Sequence, residues 1–154
     1  MTVALPFRLK ATDESEVAAW YLRAVSYRLH GIARLEDGRL VIQWSGTSEV
    51  TEVKGTAARV REETLPVRSV ALPITRITTV MLAGGWWRPR VVLRVADLSV
   101  LAAIPGAAHG ALTLWIRRGD RALAQDLITG VEIQAADAAL AAAEAPPPLP
   151  PESS

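Results

Sequence analysis

The sequence predicts a mainly β domain closed by one C-terminal helix (α+β), namely a bent antiparallel sheet or partly open barrel that the helix caps. Two observations carry this prediction. Short segments in which apolar and polar residues alternate, separated by turn signals, fill most of the first 117 positions. After residue 120, apolar residues instead recur every three or four positions, which is the helical period.

Size and composition favour a single core. The chain has 154 residues, half of them apolar, which is enough for one packed domain. No stretch approaches the roughly 18 to 20 apolar residues that span a bilayer, and the N-terminus lacks the layout of a signal peptide, so we expect a cytoplasmic protein. The absence of cysteine excludes disulfides, a thiol nucleophile, iron–sulfur clusters and thiolate zinc sites.

The N-terminal segment predicts a short helix at residues 13–24. Thr12 is a candidate N-cap, and acids follow it in what would be the first helical turn. Residues 1–24 are therefore expected to be an extension with a helix, residues 25–145 the β domain, and the proline-rich residues 146–154 an extended, mobile tail. The apolar positions at helical spacing are Val17, Trp20, Tyr21, Ala24 and Val25.

The strongest hairpin signal is Asp37-Gly38, which lies between the segments 27–35 and 39–45. Residues 46–55 are polar, and we expect an exposed loop or a weak edge hairpin there. A short strand is predicted at residues 56–64.

The middle of the chain predicts a strand at residues 67–73, which Pro73 ends, and a corner at residues 74–77. Residues 78–83 and 90–95 are rich in β-branched and apolar residues. They are expected to form a hairpin through Gly84-Gly85.

The last third predicts a single helical turn opened by Asp97, a half-buried strand at residues 112–116, and a long helix that begins near Asp120. Gly130 costs this helix about 1 kcal/mol relative to alanine, so either close packing needs the missing side chain or the helix bends there. The expected apolar stripe of the helix is Ala124, Leu127, Ile128, Val131, Ala135, Ala138 and Ala142.

This order of elements resembles a bacterial pleckstrin-homology-like domain over about residues 25 to 143. The resemblance rests on the segment 70–77 leading into the strand at 78–83, and on the helix that follows residues 117–121. It implies a seven-stranded, strongly bent sheet with a C-terminal helix at one end. Relatives that bind phosphoinositides carry basic residues around the loop between their first two strands. The corresponding loop here, Glu36–Arg39, is acidic at its tip, which argues against that ligand.

No motif indicates catalysis, and we expect a non-catalytic protein without a metal or cofactor. The two histidines, His30 and His109, lie far apart in sequence, and no metal-binding spacing accompanies them. Neither a nucleophile elbow nor a phosphate-binding glycine loop is present.

The candidate contact patch is Trp86, Trp87, Arg88 and Arg90, directly after Gly84-Gly85. Adjacent strand residues point to opposite faces, so a sheet buries one tryptophan and exposes the other unless the loop is covered. The alternative is that both tryptophans cap the core at the base of the hairpin. Tryptophan beside arginine is typical of protein–protein hot spots, of bilayer interfaces and of surfaces that stack on bases.

The charge of the chain indicates which partners of that patch to expect. The net charge is only +1, which argues against nucleic acid. An anionic membrane needs several bases beside the aromatics, and only Arg88 and Arg90 are near in sequence. We therefore expect protein binding or self-association first, membrane contact second and a small apolar ligand in the barrel third. Locally, residues 59–94 carry 7 − 2 = +5 and residues 95–154 carry 3 − 7 = −4.

Overall fold

The computed structural model describes residues 3–147 and 150–151, which form seven antiparallel strands and one long helix. Three short 3-10 turns, at Ile74–Arg76, Leu98–Leu101 and Arg118–Asp120, connect elements. The regular elements are β1 (Ala4–Ala18), β2 (Tyr21–Glu36), β3 (Arg39–Lys54), β4 (Ala57–Pro73), β5 (Ile77–Ala83), β6 (Arg90–Val95), β7 (Ala111–Trp115) and α1 (Arg121–Glu144).

The strands form one sheet in the order β4-β3-β2-β1-β7-β6-β5. Two meanders, β1 to β4 and β5 to β7, therefore meet where β1 lies beside β7, and Arg8 pairs with Trp115 at that junction. The coarse prediction of a mainly β, antiparallel sheet with a closing helix is confirmed.

The predicted helix at residues 13–24 is wrong. Strand β1 runs through this segment to Ala18, turns at Ala19 and Trp20, and pairs with β2 along nearly its whole length. Tyr21 and Val25 are four residues apart on β2, and a spacing of four satisfies both the helical period and the alternation of a strand. Continuous cross-strand pairing then decides between the two, because local propensity is a weak guide beside tertiary pairing.

The missing helix also changes which turn comes first. The first two strands meet at Ala19 and Trp20, and the acidic turn Asp37-Gly38 joins β2 to β3. The expectation about phosphoinositides concerned the loop between the first two strands, so the acidic turn does not bear on it.

The loop or weak edge hairpin expected at residues 46–55 is instead the second half of β3. This half pairs with β2 on one side and with β4 on the other, and Ser48 and Val50 are buried within it. Hydrogen bonding to two neighbouring strands satisfies the backbone here, so a strong apolar alternation is unnecessary.

The two strands predicted at residues 56–64 and 67–73 are one continuous strand, β4, which passes through Pro66 because proline is tolerated in a strand at the edge of a sheet. The remaining predicted segments are observed with small shifts. Gly38 adopts a φ of 72° in the predicted hairpin turn, and residues 74–76 form the corner as a 3-10 turn. Asp97 caps the 3-10 turn at Leu98–Leu101 by accepting a hydrogen bond from the Ser99 amide at 3.0 Å. The tail predicted at 146–154 includes residues 148–149 and 152–154, which lie outside the described residues; residues 146, 147, 150 and 151 are neither helix nor strand.

The core lies on one face of the sheet, which we call the inner face. It is built from alternate residues of each strand together with the first half of α1. None of the helices in the described part of the chain combines the length and apolarity needed to cross a bilayer. Fully buried examples are Leu5, Leu40, Ile42, Leu72, Leu93, Leu112, Leu114 and Leu127.

Helix α1 packs on the inner face through Ala124, Leu127, Ile128 and Val131, the leading part of the predicted stripe. Gly130 is explained by close packing, because a β-carbon there would lie 2.8 Å from Cδ2 of Leu35 on β2. Beyond Ala135 and Ala138, which are partly buried, the helix surface is exposed.

Candidate functional site

The candidate patch lies on the turn that joins β5 to β6, residues 84–89. Gly84 has a φ of 84°, and a β-carbon on it would lie 1.9 Å from the carbonyl oxygen of Arg88. Only glycine fits this position, since both the left-handed backbone and the close approach exclude a side chain. The turn is therefore tight and brings Trp86 and Trp87 to its outer end.

Both tryptophans are exposed, Trp86 by 63% and Trp87 by 72%. The alternative that they cap the core is therefore wrong, and so is the expectation that a sheet buries one of them, because the pair lies in the turn and not in a strand. Large aromatic side chains are seldom left this exposed side by side without a role in binding.

Contacts from the start of α1 hold this turn in place. The guanidinium of Arg118 lies over the ring of Trp87, 4.2 Å from its centroid, and Arg121 donates a hydrogen bond to the carbonyl oxygen of Gly85. Pro89 is buried, and its carbonyl accepts a hydrogen bond from the Ile116 amide at 3.2 Å. The turn and the Trp87 ring are thus tied to the rest of the domain.

The fold adds bases that the sequence does not place beside the tryptophans. Arg118 and Arg121 come from the segment before and into α1, and Arg88 is exposed in the turn itself. We call Trp86, Trp87, Arg88, Arg118 and Arg121 the hairpin patch.

Arg90 takes a position next to the hairpin patch, at the start of β6. It pairs directly with Trp115 of β7, and its guanidinium lies 5.4 Å from the centroid of that indole ring. Trp115 is 38% exposed and pairs on its other side with Arg8. Arg90 therefore belongs to a row of residues on the outer face of the sheet, opposite the core.

Sequence reasoning found four residues at this end of the molecule and missed Trp115, Arg118, Arg121 and Arg8. A signal for Trp115 was present, because it alternates with the inward-facing Leu112 and Leu114 and so had to point outward. No local signal predicts that Arg118 and Arg121 reach the turn at residues 84–89, since that contact depends on how α1 closes the sheet.

The two histidines and Asp97 lie in different segments of the described structure. His30 lies on β2 with its Nε2 3.4 Å from the Ser45 hydroxyl, and His109 is exposed in a loop. No group of three metal-ligating side chains occurs in the described part of the chain. Hydrogen bonds from the Ser99 hydroxyl and amide, and the nearby Arg76, hold the pKa of Asp97 below its ordinary value.

A depression of about 460 Å³ lies between α1 and the ends of β1 and β2. Its lining includes the carboxylates Glu36, Asp37 and Asp126, and it opens to solvent. The apolar-ligand alternative requires an enclosed apolar cavity, and this depression does not have that character.

Comparisons with protein-family models, with curated proteins and with solved structures find no match. The function of the chain has therefore to be inferred from the residues of its own surface.

Proposed function

We propose that this chain is a non-catalytic binding module that docks onto a partner protein through the hairpin patch. One observation carries the proposal: Trp86 and Trp87 are both exposed on a turn that the rest of the domain fixes. Exposed tryptophans with adjoining arginines have the composition of interface hot spots. A fixed turn also lowers the entropy lost on binding.

We also propose that the fold is pleckstrin-homology-like. Seven antiparallel strands in two meanders with a closing C-terminal helix support this proposal. The resemblance left residues 1–24 unexplained, and these residues now supply β1 and the start of β2. Because sites are grafted onto folds, the proposed kinship does not choose a ligand.

The test compares one double variant with one single variant, each of which removes exposed tryptophan. Trp86→Ala with Trp87→Ala should weaken partner binding by about thirtyfold or more, since hot-spot truncation costs about 2 kcal/mol or more. Trp20→Ala is the matched control, because Trp20 is 65% exposed on the turn between β1 and β2, in a different part of the molecule. Both variants should keep the circular dichroism spectrum and melting temperature of the wild type.

The partner is sought in two steps. Sedimentation velocity over a wide concentration range first measures self-association of the pure protein. Affinity capture with wild type and both variants then selects proteins that the double variant loses and Trp20→Ala retains. Each selected protein is purified and its affinity measured by titration. If neither self-association nor any reconstituted complex depends on Trp86 and Trp87, the docking proposal fails.

A second candidate, contact with an anionic membrane, is favoured by the arginines that the fold adds. Arg88, Arg118 and Arg121 surround the exposed indoles, and this combination suits the interface of an anionic bilayer. Co-sedimentation with phosphatidylserine vesicles at low salt tests it. Binding that fades as salt rises and that the double variant loses would replace the protein partner by a membrane.

A further inference from the structure

The outer face of the sheet carries a block of four exposed bases outside the hairpin patch. Arg8 on β1 pairs directly with His30 on β2, and two residues further along, Lys10 pairs directly with Arg28. Directly paired residues, and residues two apart on one strand, share a face. Leu9, which lies between Arg8 and Lys10 on β1, points to the inner face and is only 3% exposed. We call Arg8, Lys10, Arg28 and His30 the basic block.

Lys10 and Arg28 bring two positive charges directly opposite each other in the basic block. Like charges directly opposite each other on neighbouring strands destabilise a sheet. Among the described residues, none of the ion pairs involves a member of the basic block. Such an arrangement carries a cost in the unbound protein that a bound anion removes.

The two rows that contain the basic block extend it with neutral polar and aromatic groups. One row runs Arg90, Trp115, Arg8, His30, Ser45 from β6 to β3, and the other runs Lys10, Arg28, Thr47, Thr64 from β1 to β4. Neither row of these described residues contains an aspartate or glutamate. Hydroxyl groups thus lie beside the bases on one side, and an indole ring lies beside them on the other.

The net charge of the whole chain does not reveal the positive charge of this face. After Arg121, helix α1 carries only acids: Asp126, Glu132, Asp137 and Glu144. Because α1 packs on the inner face, these exposed acids lie on the opposite side of the sheet from the basic block. The expectation against nucleic acid was based on the net charge of the whole molecule. A bound ligand, however, is attracted or repelled mainly by the electrostatic potential of the face that it contacts.

We propose that this outer face binds single-stranded nucleic acid, with phosphates on the basic block and a base stacked on Trp115. The charge of the face is complementary to a phosphate backbone. A single strand carries aromatic bases between its phosphates, so it can stack on the Trp115 indole and pair with the arginines on either side of it. Unpaired bases are required, since a base in a duplex cannot stack on a side chain in this way.

The dimensions of the face suit a short segment of strand. The row from Arg90 to Ser45 crosses five strands, and four strand spacings of about 4.8 Å give a length of about 19 Å. This length corresponds to the small end of known sites, at about 4 nucleotides.

The experiment measures the fluorescence anisotropy of a fluorescein-labelled oligothymidine of twelve nucleotides between 20 and 200 mM NaCl. Three phosphate contacts, from Arg8, Lys10 and Arg28, predict that the logarithm of the affinity falls with the logarithm of salt with a slope of about −2. Lys10→Gln with Arg28→Gln should reduce this slope to about −0.7 and weaken binding at low salt by about tenfold or more.

A matched control removes the same charge from another surface. Arg59→Gln with Arg61→Gln takes two arginines from β4 that lie on the other face of the sheet from the basic block. It should change the affinity at 200 mM NaCl less than about twofold, since salt screens charges that do not contact the ligand. Trp115→Leu should weaken binding by about tenfold and Trp115→Phe should restore most of it, because phenylalanine still stacks.

Four results would overturn the proposal. They are the absence of an anisotropy change at 20 mM NaCl, an equal loss in both double charge variants, equally effective competition by polyglutamate, and binding to anionic vesicles in place of the oligonucleotide. Trp86→Ala with Trp87→Ala should leave oligonucleotide binding within about twofold of wild type. The proposal that the hairpin patch binds a protein and the proposal that the outer face binds nucleic acid are therefore tested independently.

Discussion

On strand β1 the inner-face residues Leu5, Phe7 and Leu9 are almost completely buried, whereas Arg8 and Lys10 on the outer face are exposed. The two faces differ along the other central strands in the same way. The inner face gathers apolar side chains under α1 and supplies the stability of the domain. The outer face is therefore free to carry bases that repel one another and aromatic rings that meet water.

The comparison also explains why composition was a poor guide to partners. Acids predominate on the exposed side of α1 and bases cluster on the outer face of the sheet, so the net charge of +1 describes neither surface. Only the fold determines which charges a partner meets together. The comparison can be tested by changing single residues on each face.

The largest expected effect is on the inner face. Leu112→Ala removes a fully buried side chain of β7 and should lower the free energy of unfolding by about 3 kcal/mol. Leu140 on α1 is 59% exposed, so Leu140→Ala should change the free energy of unfolding by less than about 0.5 kcal/mol. Urea denaturation measures both. Similar losses in the two variants would mean that stability is not concentrated on the inner face.

An intermediate effect is expected where α1 touches β2. Gly130→Ala improves helix propensity by about 1 kcal/mol, but the new methyl group meets Leu35, 2.8 Å away. In a Leu35→Ala background the same change should therefore stabilise the protein by about 1 kcal/mol, and in the wild type by clearly less. A double-mutant cycle in urea gives the coupling. Additive effects would show that Gly130 is not required for close packing.

A smaller effect, with the opposite sign, is expected on the outer face. Lys10→Gln removes one member of the like-charge pair with Arg28 and should stabilise the domain by about 0.2 to 1 kcal/mol at low salt. The gain should shrink at high salt, since screening weakens the repulsion. Arg61→Gln is the control, because Arg61 lies 3.1 Å from Glu63 and its loss relieves no repulsion. If Lys10→Gln destabilises instead, the basic block is not under electrostatic stress.

Sequence reasoning succeeded where a local signal and the tertiary structure agree. The turn at Gly38, the strand Arg90–Val95 and the helix after Asp120 all carry strong local signals, and all three are observed. The segment 13–24 failed because its four-residue spacing fits two periods, and cross-strand pairing alone decides between them. A periodicity argument cannot weigh pairing with a strand whose position is unknown.

The candidate site was predicted only in part, because some of its residues carry a local signal and others are brought together by the fold. Trp86 and Trp87 stand out beside a glycine turn, so one stretch of sequence identifies them. Trp115 and Arg8 come together through the single pairing of β1 with β7, across more than a hundred residues of chain. Arg118 reaches Trp87 only after α1 has closed the sheet. A site assembled from distant segments cannot be predicted from a local sequence pattern.

The smallest expected effect concerns Asp97, which is partly exposed and caps the 3-10 turn at Leu98–Leu101. Hydrogen bonds from Ser99, and then Arg76 at 3.4 Å, hold its pKa below the ordinary value, so the folded protein binds this proton less readily than the unfolded chain does. The contribution to stability is therefore complete above the unfolded pKa of about 4 and is lost as pH falls through the lower folded pKa. Asp97→Asn should lower the melting temperature slightly at pH 7, and the difference between the two proteins should shrink as acid protonates Asp97. A difference that stays constant from pH 7 to pH 2 would mean that the shape of the cap matters and its charge does not.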